Sequence, residues 1–133
     1  RKALQEVHDL VVNLAQSKGG NIKSSHICWH RHEDHCLCRK PKPHLIFQAL
    51  GGLYSPKKSW MVGDRVTDLE AGRRAGVQVA WIYDKEEDSR SILNFDEIKN
   101  RLQPEFVGSS LIQFAEFLRS KENLKNKNQQ ENL

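Results

Sequence analysis

Leu4, Val7, Leu10, Val11 and Leu14 fall three and four residues apart, the spacing that lays side chains along one face of an α-helix. Gly19-Gly20 closes that pattern, so residues 2–18 are expected to form an amphipathic helix. The run 22–29, Ile-Lys-Ser-Ser-His-Ile-Cys-Trp, reads as a short strand leading into a segment crowded with His, Cys and charge. Pro41 and Pro43 punctuate the start of a helix carrying Leu45, Ile46, Phe47 and Leu50, which Gly51-Gly52 ends. A buried strand at 59–63 ends at Asp64, and a helix over about 67–75 stops at Gly76. Residues 77–83 are a continuous apolar run of the kind that parallel sheets bury on both faces. Charged residues 84–90 come next, then a short helix near 96–101, a small strand at 105–108 and a helix over 109–119 with Ser109 or Ser110 as N-cap. The segment 120–133 is almost wholly polar and is expected to be a disordered tail.

Strand and helix alternate throughout, which predicts an α/β fold with a parallel sheet. At 133 residues the chain has room for one modest domain, taken here as 1–119 with the tail beyond it, and it shows no internal repeat. Its longest apolar stretches fall well short of the roughly 20 residues of a membrane-spanning helix, so no membrane role is expected. The net charge of +4 is mild and spread along the chain. It favours an anionic partner without the concentrated basic surface of a nucleic-acid binder. Three cysteines and no leader-like start argue against a secreted disulfide framework and for the cytoplasm.

The cysteines have a better use. Cys28-Trp-His30 and Cys36-Leu-Cys38 place two ligand pairs five residues apart. Thiolate and imidazole donors in a closed set of four suit tetrahedral Zn²⁺ in a structural role. His26, His32 and His35 lie near enough to compete as ligands, although a loop histidine is more often simply solvated. Such a site would act as a clip on a loop with little apolar content, converting metal affinity into local folding free energy.

Phosphate chemistry is written in two further segments. Arg39-Lys40-Pro41-Lys42-Pro43 puts three cations at the start of a helix, where an anion is favoured by the backbone N–H groups as well. Taken alone, it reads equally as a solvated basic turn. Met61-Val62-Gly63-Asp64 ends a buried strand in a carboxylate, which then faces the crevice where open α/β sheets bind ligands. Asp68, four residues on, can share that side of the crevice, as a hard-cation site for Mg²⁺ requires, or can serve the helix N-terminus as a dipole-stabilising carboxylate.

Cys-x-His, Cys-x-Cys-Arg-Lys-Pro-Lys-Pro and Gly-Asp-Arg-x-x-Asp, in that order, resemble the haloacid dehalogenase-like phosphatases. The similarity is to their zinc-containing subgroup, which includes heptose bisphosphate phosphatases and histidinol-phosphatase domains, and it runs from about Gln5 to Phe117. The resemblance implies a Rossmann-like parallel sheet with flanking helices. It also implies structural zinc on Cys28, His30, Cys36 and Cys38, and catalytic Mg²⁺ on Asp64. Lys40 would neutralise the transferring phosphoryl group, Arg39 and Arg65 would contact substrate, and Asp68 would orient its neighbours. In such enzymes an Asp carboxylate attacks phosphorus, and water hydrolyses the resulting aspartyl-phosphate.

The departures are informative. The family's nucleophile lies in an Asp-x-Asp motif, and this chain contains none. The nucleophile strand and the following phosphate-binding strand are therefore expected to lie outside the chain, supplied by an upstream segment or replaced by contact with a second copy, and the chain alone is expected to be inactive. His44 stands where the family often has Gly. The expected activity is hydrolysis of a small phosphomonoester, a heptose bisphosphate-like sugar phosphate. Histidinol phosphate is the alternative, since a five-residue gap between His30 and Cys36 suits it. A non-catalytic zinc-binding module is the rival from another class, and a nucleic-acid-binding zinc finger, whose ligand spacing differs, ranks behind both.

Overall fold

A computed structural model of the chain describes residues 2–83 and 94–132. The charged segment 84–90 lies outside the described residues. Helix α1 (Lys2–Ser17) is followed by the Cys/His loop, with a single 3₁₀ turn at His32–Asp34, and by the short helix α2 (His44–Leu50). Strand β1 (Trp60–Gly63), helix α3 (Val66–Ala75) and strand β2 (Gln78–Ile82) then form one strand–helix–strand unit. Helix α4 (Phe95–Leu102), strand β3 (Phe106–Gly108) and helix α5 (Leu111–Glu131) complete the chain.

The three strands lie in the order β1-β2-β3 and both pairings are parallel, with Met61 opposite Val79 and Trp81 opposite Val107. The α/β class expected from the alternation of elements is therefore observed. Val79, Trp81 and Tyr83 project from one face of β2 into a core with Leu69, Ile98 and Leu102, so α3 and α4 cover that face. Gly72 permits the close approach of α3: a Cβ there would come within 2.8 Å of Met61 Cβ and 2.9 Å of Val79 Cγ2. On the opposite face Trp60 and Phe106 meet Phe114 and Phe117 of α5, with ring centroids 5.0–6.1 Å apart. Edge-on and tilted packing of this kind contributes about 1 kcal/mol per pair beyond the area buried.

Arg73 of α3 fastens the rim. Its guanidinium donates to Leu102 O at 2.6 Å and to Gln103 O, and forks onto Glu105 at 2.7 and 3.0 Å. Glu105 also accepts from Val79 N at 2.7 Å. Partial burial works against its ionisation, but the Arg73 hydrogen bonds and the Val79 N–H outweigh that and hold the carboxyl below its ordinary value of 4.5.

Two elements differ from the sequence expectation. Residues 22–29 form no strand: no described strand lies alongside to complete a ladder, and the segment is held by side chains, His8 to Ser25 at 2.5 Å and Lys23 to Tyr54 at 2.9 Å. The polar segment expected to be disordered from residue 120 continues α5 as helix to Glu131. It contains no Gly or Pro, and Lys, Glu and Gln, which have high helix propensity, outnumber its four Asn, which have low propensity. Ser110 caps the start, accepting from Gln113 N at 3.2 Å, so the predicted N-cap is observed.

Candidate metal cluster and phosphate site

The Cys/His loop has almost no apolar content, so what folds it is polar. Asp34 accepts from Arg31 N at 2.7 Å, closing the turn at 32–34, and His35 exits it in the left-handed region at φ 44°. This reversal brings the two ligand pairs face to face. Cys28 Sγ lies 3.6 Å from Cys36 Sγ and 3.3 Å from Cys38 Sγ, Cys36 and Cys38 are 3.6 Å apart, and His30 Nδ1 is 3.2 Å from Cys38 Sγ and 3.8 Å from Cys28 Sγ.

A disulfide needs sulfurs ~2.05 Å apart, so these thiols are free. A tetrahedral Zn²⁺ with bonds of ~2.3 Å would set its sulfurs roughly 3.8 Å from one another. All four donor atoms lie within 4.8 Å of one another, so the cluster can hold a metal ion, and its donors suit a soft-to-borderline one. The other loop histidines stand outside it: His26 Nε2 lies 3.0 Å from Ser24 Oγ, and His35 occupies the turn. The crowding splits the thiols. Desolvation opposes ionisation of Cys36, yet the Cys38 and Arg39 backbone N–H groups and the Cys28 thiol lower it to about 7. Cys38 is raised to about 11, chiefly by its hydrogen bond to Cys28 and by desolvation.

The basic turn hangs directly from this cluster. Arg39 Nη1 donates to His30 O at 3.2 Å and Lys42 Nζ donates to Cys36 O at 2.6 Å. The Lys40–Pro41 peptide is cis, and Arg74 of α3 reaches Pro41 O at 3.3 Å. Lys40 crosses to the sheet and pairs with Oδ1 of Asp68. Asp68 is only 4% exposed and its second oxygen accepts from Arg65 N at 3.1 Å, so both sides of this buried carboxylate are satisfied.

Asp68 therefore serves the turn and Lys40 together, as a helix N-terminal carboxylate that also fixes a cation. Gly63 is what makes room for it. A Cβ at residue 63 would stand 2.4 Å from Asp68 Cβ, closer than any real contact. Asp64 lies exposed at the C-terminal end of β1, where its backbone carbonyl accepts from Trp81 Nε1 at 3.4 Å. Arg39, Lys40, Arg65 and Thr67 line one cleft of about 610 Å³. Sequence reading missed Arg74 and Thr67. The only signal for Thr67 was its place inside the Gly-Asp-Arg-x-x-Asp turn, and Arg74 carried none.

A family model described as HAD-hydrolase-like matches residues 37–113, more than half of the chain. A histidine biosynthesis bifunctional protein HisB from Actinobacillus pleuropneumoniae is 31% identical over 98 residues, covering 73% of this chain and 26% of the relative. A D-glycero-beta-D-manno-heptose-1,7-bisphosphate 7-phosphatase from Neisseria meningitidis is 38% identical over 69 residues, covering 51% and 37%. The same enzyme from Helicobacter pylori is 39% identical over 67 residues, covering 50% and 38%. The chain thus spans between about a quarter and two-fifths of these curated relatives.

Proposed function

The chain belongs to the HAD-hydrolase-like family, and from that membership we propose that it is the metal-loop portion of a phosphatase acting on a sugar phosphate, with a heptose bisphosphate as the type of substrate. The observation that carries this reading is the pairing of Lys40 with buried Asp68 beside Asp64 and Arg65 at the C-terminal end of β1. There a fixed ammonium and two guanidinium groups share a cleft at the point of an α/β sheet where ligands bind.

Zn²⁺ on Cys28, His30, Cys36 and Cys38 would close that set and hold the loop from which Arg39 and Lys42 are positioned. Mg²⁺ on Asp64 would, when bound, add charge neutralisation at the phosphoryl oxygens. Everything else falls to the protein's own groups. Lys40, kept in place by Asp68, offsets charge on the transferring phosphoryl group, whose transition state spreads negative charge over its equatorial oxygens. Arg39 and Arg65 orient the substrate. The attacking carboxylate lies outside residues 1–133 in this reading, and it displaces the sugar oxygen to give an aspartyl-phosphate that water cleaves. The protein would work in the cytoplasm, without nucleic acid or membrane as partner. Among the described residues no helix is long and apolar enough to cross a membrane.

Histidinol phosphate is the second substrate to consider, because the match to HisB covers the larger share of the chain. Phosphate release from both substrates, with and without Mg²⁺, by residues 1–133 and by the full-length protein tests the proposal. Mg²⁺-dependent turnover by the longer protein alone is expected, abolished by Asp64→Asn with zinc content unchanged. Absence of turnover in both overturns the phosphatase reading in favour of a non-catalytic metal module.

A further inference from the structure

The three cysteines of the chain all belong to the metal cluster, and each is only partly buried. Cys28 and Cys38 line the cleft of about 610 Å³, and Cys36 lines an adjoining hollow of about 170 Å³. A small solute therefore reaches the cluster from either hollow. The sulfurs are also close to one another: Cys28 Sγ and Cys38 Sγ are the nearest pair at 3.3 Å, and Cys36 Sγ stands 3.6 Å from both. Cys28 and Cys38 are ten positions apart, on opposite limbs of a polar loop, so closing 3.3 Å to the ~2.05 Å of a disulfide displaces no core residue. Cys36 and Cys38 have a single residue between them, a separation that closes a much tighter ring.

From this geometry we infer that the cluster is a site of reversible oxidation, at which hydrogen peroxide joins Cys28 to Cys38 and unclips the residues that carry the basic turn. One sulfur attacks an oxygen of the peroxide, the O–O bond breaks and water departs, leaving a sulfenic acid. The second sulfur displaces that hydroxyl as a second water, and the S–S bond forms. Two thiols give up two electrons and two protons, and one peroxide becomes two waters.

The cross-link leaves out His30 and Cys36, and these are the residues on which two of the cations rest. Arg39 donates to His30 O at 3.2 Å and Lys42 donates to Cys36 O at 2.6 Å. Two remaining donors fall short of the four that a closed site uses. The oxidised loop therefore holds neither a metal nor a fixed platform for Arg39 and Lys42. Cys36, whose sulfur stands 3.6 Å from both others before oxidation, remains as a thiol able to attack the new bond, which keeps the cross-link open to reduction. The oxidation is independent of the phosphatase reading, and only its effect on phosphate handling rests on that reading.

Treating the full-length protein, zinc-loaded or stripped by chelator, with equimolar hydrogen peroxide tests this without turnover. Alkylation and non-reducing peptide mapping are expected to find Cys28 linked to Cys38 and Cys36 as a free thiol. A chromogenic chelator should register one zinc released per such link, and dithiothreitol should return all three thiols. Amide exchange across residues 39–42 of the zinc-loaded protein should speed about tenfold or more on oxidation, with β2 unchanged. Cys36→Ser should form the same link, since the pairing does not need the third sulfur. Any other partner for Cys28 or Cys38 as the main product, sulfinic acid in place of a disulfide, zinc retained after the link has formed, or exchange at 39–42 indifferent to oxidation would each overturn the inference. The phosphatase reading fails separately, on absence of phosphate release.

Discussion

Two partly or fully buried carboxylates, Asp68 and Glu105, are each shared between a cation and the backbone, and that sharing decides what each can do. Asp68 divides its two oxygens between Lys40 and Arg65 N, and Glu105 divides its own between Arg73 and Val79 N. The Glu105 arrangement predicts a pH effect. Its folded pKa lies below the ordinary 4.5, so its contribution is fully present above about pH 4.5 and is lost as pH falls through the lower folded value. With the Glu105 side chain 35% exposed, screening limits the interaction to about 1 kcal/mol. Urea denaturation should therefore place Glu105→Gln about 1 kcal/mol below the parent at pH 7, with the gap closing towards pH 3. A gap that stays constant with pH would exclude this assignment. The Asp68 pairing was invisible in the sequence for a simple reason. Twenty-eight residues separate Lys40 from Asp68, and no local pattern encodes so distant a contact. Gly63, by contrast, was legible as part of a motif, and the structure supplies its reason in the space taken by Asp68 Cβ.

Among the elements, those with a strong apolar period were readable and those without one were misread. Strands β1 and β2 and helices α3 and α4 lie within one or two residues of their expected bounds, because burial against the sheet imposes a pattern on their sequence. Residues 22–29 looked like a strand by composition, but a strand exists only with a neighbour to pair with. The C-terminal half of α5 failed in the opposite sense. Its apolar contacts end where Lys121 lies over the Phe117 and Trp60 rings, 5.0 and 5.8 Å from their centroids. Past that point there is no face to read. The cost of helix nucleation is already met by the packed first turns, and propagation through Lys, Glu and Gln needs no further partner. Removing residues 123–133 should accordingly reduce far-ultraviolet helical ellipticity while changing the unfolding free energy by no more than about 0.5 kcal/mol. A loss of several kcal/mol would mean that this exposed stretch carries packing that the structure does not show.

At the scale of the whole molecule, stability is distributed unevenly. The sheet, α3 and α4 enclose Leu69, Val79 and Trp81, which are almost completely buried. Helix α1 makes only sparse contact with the other elements, and its apolar stripe, Leu4, Val7, Leu10, Val11 and Leu14, is about half exposed. The Cys/His loop likewise has no apolar core, and its order depends on polar turns and on whatever the four ligands hold. Segments of that kind open at lower free energy than a packed sheet. If a metal clips the loop, its binding free energy becomes folding free energy for residues 28–42 and for little else. Amide hydrogen exchange should therefore slow at least tenfold across residues 36–42 when Zn²⁺ is added to chelator-treated protein, with β2 and α3 unchanged. Cys36→Ser should abolish the response and bind substoichiometric zinc. The Lys42 N–H, bonded to Arg39 O at 3.0 Å, is the most direct reporter, because it belongs to the turn that carries the cations. Slowing spread evenly over loop and sheet would instead mean that the metal stabilises the molecule globally, and the basic turn would lose its special dependence on the cluster.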